Sequence, residues 1–504
     1  MQLHALMQHI SYIPIIGDGS IEIEHICYDS RDVVANSLFV CIKGVHVDGH
    51  AYIHEALKKG AVAIIIDRLI SISLDRIKEE FKDISILLVE DSQKALAHIS
   101  CAFFDYPATK CTMIGITGTK GKTTTSYMIK SILEECGETV GIIGTNGAFI
   151  KSNKINLKHT TPPSYEIQKL LHLMVAKGCT FVVMEVSSIG LKMKRVEGIT
   201  FDYGIFTNLS EDHIGGDEHK DFKEYMYWKK QLFAHCNTSI FNKDDKNCSN
   251  MVDTTNENPI FYSLYEESDF KGEKIEFIQN SNKLGSQFQV SSPKFIAENY
   301  IPIHLNLPGE FNIYNSLAAI SCCKIIGCSN ESIKKGLSHV FVKGRMEVVY
   351  SNETFHLMID YAHNSVSLEN LLKTLRAYNP KRIVCIFGCG GNRSRTRRYS
   401  MGEISGRFAD FSIITEDNSR DEPVNKIISD ILVGMKKTSG EYVIIPNRKE
   451  AIRFSILNAK HGDFILLVGK GHEDYQEIKG IRRPFSEHTI VKEIIDEEII
   501  GDIL

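Results

Sequence analysis

Residues 113–126, MIGITGTKGKTTTS, constrain this 504-residue chain more than any other segment. An apolar run leads into a glycine-rich turn, and Lys122 and Thr123 follow at once. That order reads as a buried strand, a loop and the first turn of a helix. Glycines at 118 and 121 let backbone N–H groups point inward around phosphate oxygens, and the helix N-terminus adds its dipole. Lys122 is placed for the β- and γ-phosphates and the Thr123 hydroxyl for Mg²⁺, with Thr119, Lys120 and Thr124 in the same candidate nucleotide site. Ile116 stands where the general pattern wants glycine, so the reading rests on strand, glycines, GKTTT and helix together.

A chain this long exceeds one core, and its patterns separate three regions. Residues 1–107 carry apolar runs at Ser37–Ile42, Ala61–Ile66 and Ile84–Val89, with helical stretches at Tyr52–Lys59 and Ser92–Phe104, as in a small α/β unit. In residues 108–339, strands are expected at Cys111–Thr117, Val140–Ile143, Thr180–Glu185, Tyr203–Asn208 and Thr238–Asn242, with helices at Lys122–Cys136 and Ser164–Lys177 between them. This alternation predicts a doubly wound, mostly parallel sheet. Residues 243–305 read as polar and irregular, with Phe288–Val290 as an antiparallel edge, before a helix at Asn312–Ile326. In residues 340–504, strands at Thr354–Asp360, Arg382–Gly388, Phe411–Thr415, Tyr442–Ile445 and Asp463–Leu467 alternate with helices such as Ser367–Leu375 and Val424–Met435. This is a Rossmann-like α/β pattern whose GCGGN turn lacks the dinucleotide spacing.

Net charge of −5 with no long Lys/Arg run argues against nucleic acid as a partner. The one basic cluster, Arg393, Arg395, Arg397 and Arg398, sits in a glycine-rich context that suits small anions. No apolar run reaches the roughly 20 residues that span a bilayer, and no leader-like segment stands out, so a cytoplasmic protein is expected. The thirteen cysteines form no CxxC pair, and Cys322–Cys323 reads as part of a buried helix.

Two further strand ends carry chemistry. Met184-Glu185-Val186-Ser187-Ser188 places a carboxylate at the C-terminal end of a parallel strand, where a Mg²⁺ ligand belongs beside a phosphate loop. At 206–213, FTNLSEDH, the residues Asn208, Asp212 and His213 are candidates for the metal and phosphate shell. GTKGKTT, EVSS and FTNLSEDH are followed in order by PGEFNIYNSLAA (308–319), KGRME (343–347), DYAHNS (360–365), GCGGNR (388–393) and GKGHEDYQ (469–476). Over essentially its whole length the chain resembles the Mur ligase superfamily, most closely the UDP-N-acetylmuramoyl-tripeptide synthetases. The N-terminal YDSR (28–31), FVCIKG (39–44) and DGH (48–50) belong to that branch.

The resemblance implies a three-domain ATP-dependent ligase of peptidoglycan synthesis: a UDP-substrate domain at 1–107, a central ATP domain at 108–339 and an amino-acid domain at 340–504. The γ-phosphate of ATP would activate a carboxylate as an acyl phosphate, and an amine would displace it to form an amide. It further implies that Ser30 binds the uracil-nucleotide part of UDP-MurNAc-L-Ala-D-Glu, and that Thr160, Thr161, Ser187 and Arg195 hold the muramoyl-dipeptide. Thr123, Glu185, His213 and Lys229 would serve two Mg²⁺ ions, Lys229 as a carbamate. Catalysis would rest on Lys122, Lys229, Glu185 and His213, and Asn312, Arg345 and Asp360 would contact ATP. Asp417-Asn418-Ser419-Arg420 aligns with the family's DNPR motif and points to meso-diaminopimelate, with Arg393, Gly469 and Glu473 completing the pocket and Glu473 at the distal ammonium. A monomer is expected.

The sequence departs from the family at several places. Ser419 replaces the usual proline, which implies a less rigid loop. Asn392 replaces the aspartate of GGDR, Tyr399 a proline, Ile189 a histidine, Pro163 an aspartate, and Ser486-Glu487 an acidic pair. They leave the phosphate and Mg²⁺ groups in place but suggest a divergent member. L-Lysine or another amino acid therefore stays open, as do a folylpolyglutamate-type ligase, a phosphate-loop NTPase without ligase activity, and a silent binding protein.

Overall fold

The structure is a computed structural model that describes residues 1–17, 19–44, 47–69, 74–212, 214–215, 218–252, 258–280, 283–295 and 299–501. The chain forms two compact units, Met1–Asp269 with Ala318–Ser329, and Phe270–Leu317 with Asn330–Leu504.

The first unit begins with strands β1 (Tyr12–Ile16), β2 (His25–Cys27), β3 (Ser37–Val40), β4 (Ala61–Ile66) and β5 (Ser85–Val89), in the order β1-β5-β4-β3-β2. All neighbours are parallel except β1 and β5. Alternate residues serve opposite faces: Leu38, Val40, Ala63, Ile65, Leu87 and Val89 pack in one core, and Phe39, Ile64, Ile66 and Ile86 in the other. Burial on both faces is why these strands read as unbroken apolar runs.

The same unit continues with β6 (Thr112–Thr117), β7 (Val140–Gly144), β8 (Gly147–Ile150), β9 (Asn153–Ile155), β10 (Phe181–Glu185), β11 (Phe201–Phe206), β12 (Cys236–Asn242) and β13 (Ile260–Ser263). Their order is β13-β12-β11-β6-β10-β7-β8-β9. Neighbours from β13 to β7 are parallel, and β8 and β9 add an antiparallel meander. From β6 the chain winds first toward β7 and then, after β10, crosses to β11 on the other side. The loop after β6 therefore opens at the switch in winding direction, where α/β sheets bind ligands. Register places Glu185 beside Ile116 and Phe206 beside Thr117, which brings three strand ends together.

In the second unit, β14 (Phe270–Asn280), β15 (Lys283–Ser291) and β16 (Tyr300–Leu305) form an antiparallel set with β15 in the middle. This corrects two expectations: much of 243–305 is regular, and Phe288–Val290 lies inside a strand flanked on both sides. On β16 only alternate residues are buried, so no long apolar run announces the strand.

The sheet that follows contains β17 (Glu347–Ser351), β18 (Phe355–Asp360), β19 (Arg382–Phe387), β20 (Phe411–Ile414), β21 (Glu441–Ile444) and β22 (Asp463–Val468), in the order β17-β18-β22-β19-β20-β21. It is parallel except at β17. The all-buried β22 lies between β18 and β19, and a hairpin of β23 (Tyr475–Ile478) and β24 (Ile481–Pro484) follows it.

Helices expected at 367–375, 424–435 and 312–326 span Ser365–Arg376, Val424–Met435 and Glu310–Ile326. Cys322 and Cys323 are fully buried, as anticipated. The arginine cluster is corrected: Arg398 is buried against Glu422 and Asp430, and Arg395 pairs with Asp430, so these two cations already have carboxylate partners within the fold. Arg393 is exposed.

Candidate functional site

In the first unit the loop after β6 turns at Gly118 (φ +147°) and Gly121 (φ +88°), and the helix Lys122–Glu135 starts directly behind it. A Cβ at Gly118 would collide with the Thr207 hydroxyl, so the end of β11 packs tightly against the loop. Thr119 N donates to Asn208 O at 2.8 Å, Lys120 N to Asn208 Oδ1 at 3.0 Å, and the Thr207 hydroxyl to Lys120 O at 2.6 Å. Lys122 Nζ folds back on Gly118 O and Thr119 O at 2.8 and 3.1 Å, and Lys120 Nζ pairs with Asp212 at 3.0 Å. Thr124 is buried in the first helical turn.

Glu185, at the end of β10, is almost wholly buried. Its carboxylate accepts from the Thr123 hydroxyl at 2.9 Å, Thr145 N at 3.0 Å and the Thr145 hydroxyl at 2.9 Å. Gly144 makes the approach possible, since a Cβ there would lie 2.8 Å from Glu185 Cδ. Sequence reading missed Gly144 and Thr145. The signal was a strand ending in Gly-Thr, which has meaning only once β7 is known to lie beside β10.

Lys229, on the helix Phe222–Lys230, is buried and reaches Gly118 O at 2.8 Å. Its ammonium lies 4.7 Å from the centre of the Tyr225 ring, and the Tyr225 hydroxyl meets the Thr119 hydroxyl at 3.1 Å. Burial, with Lys122 and Lys120 nearby, holds Lys229 well below the usual lysine range, and Asp212 opposes the shift only in part. Tyr225 is a second residue that sequence reading missed. His213 lies outside the described residues.

A second cluster gathers Thr160, Thr161, Ser187 and Arg195. The Thr161 hydroxyl donates to Glu185 O and accepts from Ser187 N, both at 2.9 Å. Arg195 Nη1 donates to Thr161 O at 2.7 Å, and the Thr160 and Thr145 hydroxyls meet at 3.1 Å. Tyr28 donates to Glu166 Oε1 at 2.9 Å; Arg195, its guanidinium lowered by burial, feels Glu166 and Tyr28. Ser30 is buried two residues on, in a turn capped by Asp29, with Lys59 Nζ on its carbonyl at 2.8 Å.

In the second unit, Asp360 accepts from Met346 N and Ala362 N, both at 2.8 Å, and so fixes the turn that carries Arg345. The Arg345 guanidinium lies 4.8 Å from the Tyr361 ring. Asn312 is buried and donates to Pro308 O at 2.7 Å. Asp417, Asn418 and Ser419 are buried after β20. Arg420 takes φ +51° and donates to Gly391 O at 2.6 Å, and Asn418 Nδ2 donates to Glu473 Oε2 at 2.9 Å. The loop lacks the proline yet is held by backbone bonds from Gly391 N to Asn418 O, Arg420 N to Glu477 O and Lys479 N to Arg420 O. Gly469 (φ +114°) lets Asp417 pack close, and Arg393 is exposed, its Cγ and Arg420 Nη1 both lying within 4 Å of where a Cβ at Gly390 would stand. Glu487 is no free acidic group: it is buried against Arg448 at 2.8 Å.

Three family models match in chain order: "Mur ligase family, catalytic domain" over residues 22–104, "Mur ligase middle domain" over 116–323 and "Mur ligase, glutamate ligase domain" over 344–471. The chain is 41% identical over 498 residues to UDP-N-acetylmuramoyl-L-alanyl-D-glutamate–2,6-diaminopimelate ligase of Caldanaerobacter subterraneus subsp. tengcongensis, covering 99% of each chain. It is also 41% identical to the protein of that name from Clostridium perfringens, over 98% of this chain and 100% of the other. A solved structure of a ligase with the same name matches with a TM-score of 0.71 and 26% identity over 99% of both chains. The MurF ligase from Thermotoga maritima in complex with ADP shares the fold at a TM-score of 0.60 and 18% identity, over 95% of this chain and 98% of the other. Full-length identity above 40%, the three ordered domain matches and the phosphate loop at the sheet's switch point together establish that the chain belongs to the Mur ligase family.

Proposed function

We propose that the chain is an ATP-dependent ligase that adds meso-diaminopimelate to UDP-MurNAc-L-Ala-D-Glu in peptidoglycan synthesis, acting in the cytoplasm. The observation that carries the reading is the convergence of the 118–123 loop, Glu185 and Lys229 within one family frame. Three domains at 1–107, 108–339 and 340–504 accommodate the family matches, while residues 270–317 form one compact unit with 330–504.

Within this reading the loop N–H groups and Lys122 hold the ATP phosphates, and the family likeness assigns Asn312, Arg345 and Asp360 to ATP contacts as well. The buried Thr123–Glu185 pair offers the hydroxyl and carboxylate oxygens that Mg²⁺ accepts. No group of three His, Cys, Asp or Glu side chains suited to a metal forms among the described residues, and His213 lies outside them. When bound there, Mg²⁺ would neutralise charge on the transferring phosphoryl group. Burial and the neighbouring Lys122 lower the Lys229 ammonium's pKa, which favours the uncharged amine that would have to add CO2 and lose a proton to become a carbamate; that carbamate would present oxygen donors to a second ion.

Ser30, Thr160, Thr161, Ser187 and Arg195 seat the UDP-muramoyl dipeptide so that its carboxylate takes the γ-phosphoryl group. The amino acid's amine then attacks the acyl phosphate; an amide forms and phosphate leaves. Positioning and charge neutralisation do most of this work. Arg420 suits the distal carboxylate of meso-diaminopimelate, which lysine lacks, with Asp417, Asn418, Ser419, Gly469, Glu473 and Arg393 around it.

The test is phosphate release with meso-diaminopimelate, L-lysine and L-ornithine, each with and without the UDP-muramoyl dipeptide. Release is expected only with ATP, dipeptide and meso-diaminopimelate together. Equal release without dipeptide or amino acid would identify an NTPase, and a preference for lysine would overturn the role of Arg420.

A further inference from the structure

Glu473, the group assigned to the amino acid's distal ammonium, already pairs with an ammonium of the chain itself. Lys470 is fully buried, and its Nζ donates to Asn418 Oδ1 at 3.0 Å and to Glu473 Oε2 at 3.2 Å. Asn418 Nδ2 donates to that same Glu473 oxygen at 2.9 Å, and Asn418 Oδ1 also accepts from Glu477 N at 2.9 Å. Two donors on Asn418 Oδ1 and one acceptor at Nδ2 fix the orientation of the amide. The Lys470 ammonium lies 5.6 and 5.9 Å from the ring centres of Tyr475 and Phe485.

Burying a lysine charge costs several kcal/mol unless it is well paired, and an apolar side chain would fill the same space without that cost. What only the charge provides is the triangle with Asn418 and Glu473. Both bonds to Glu473 fall on Oε2, and no described hydrogen bond uses Oε1. We propose that Lys470 is the positioning residue of the amino-acid pocket, an internal ammonium that locks Asn418 and Glu473 together and leaves Glu473 Oε1 to receive the substrate's distal ammonium. This rests on the ligase reading above.

The electrostatics agree. Burial raises the Glu473 carboxyl and Asp417 adds to the rise, while Lys470 opposes it. Without Lys470 the carboxyl moves toward its neutral form, which holds a cation poorly.

The test compares wild type with Lys470→Met, which keeps the length and apolar stem, using meso-diaminopimelate and 2-aminopimelate. The second compound keeps the distal carboxylate and lacks the distal amine. In Lys470→Met the KM for meso-diaminopimelate is expected to rise at least tenfold, with the KM for ATP and for the UDP-muramoyl dipeptide within twofold of wild type. The preference for meso-diaminopimelate over 2-aminopimelate, as kcat/KM, should fall at least fivefold, which a packing role would not cause. If Lys470→Met does not fold, Lys470→Gln, which keeps a donor but not the charge, is measured in its place, with the same loss of preference expected. A folded variant of either kind with the wild-type preference overturns the proposal. Wild-type phosphate release that ignores the amino acid overturns instead the ligase reading beneath it.

Discussion

Gly144→Ala adds one methyl group to the end of β7, and the structure says where the strain goes. The new Cβ would lie 2.8 Å from Glu185 Cδ and 2.9 Å from Cγ. The nearest atom is Glu185 Oε1, which the Cβ would overlap outright, and with ordinary contact beginning at about 3.5 Å the carboxylate must retreat by about 1 Å or more. An exposed glutamate would swing away at little cost. Glu185 cannot, because it is buried and held by Thr123 and by the backbone and hydroxyl of Thr145 at 2.9–3.0 Å. Hydrogen bonds to a charged group are worth about 1.5–3 kcal/mol each. Losing one and stretching the others removes about 3 kcal/mol from the geometry that Thr123 and Glu185 present to the phosphates. At about 1.4 kcal/mol per factor of ten, kcat/KM for ATP should fall roughly a hundredfold. The assay is amino-acid-dependent phosphate release with ATP varied, alongside thermal unfolding to show that the variant is folded. A folded Gly144→Ala protein within threefold of wild type would refute both the placement of Glu185 and its part in the site.

Tyr225→Phe keeps the ring near Lys229 and removes the hydroxyl that meets Thr119. It is expected to cost about 1 kcal/mol, read as roughly fivefold weaker binding of a non-hydrolysable ATP analogue by calorimetry. Glu422 should contribute to acid stability: its bonds from Arg398 and from Asn392 N hold its carboxyl down at about 2, against an ordinary value of 4.5. The folded state then binds fewer protons than the unfolded one, so this contribution is present above about pH 4.5 and is lost as pH falls toward 2. Denaturant unfolding at stepped pH should show a shallower acid limb in Glu422→Gln, and an unchanged limb would count against the pairing.

Much of the site was legible because its signals are local. A phosphate loop needs its glycines, lysine and threonine within a few residues, and a strand buried on both faces must be an apolar run, as Ile64, Ile65 and Ile66 are. Strands with one buried face, such as β16, gave no comparable signal, and the same held for the hairpin of β23 and β24. The expectation that Ser419 loosens its loop shows the limit of residue-by-residue comparison, since the bonds that hold the loop come from Gly391, Glu477 and Lys479.

By itself the sequence determined the nucleotide loop, the alternation of strands and helices and the family to which the chain belongs, because these depend on residue type and short spacing. Only the tertiary structure decided what surrounds each group. It set β7 beside β10, so that Gly144 and Thr145 meet Glu185. It buried Lys229 against Gly118 and Tyr225, and it closed Lys470 onto Asn418 and Glu473. The physical reason is that hydrogen bonds and burial act over a few ångströms in space. Only strand order and crossover connections bring residues 40, 52 or 111 positions apart within that range.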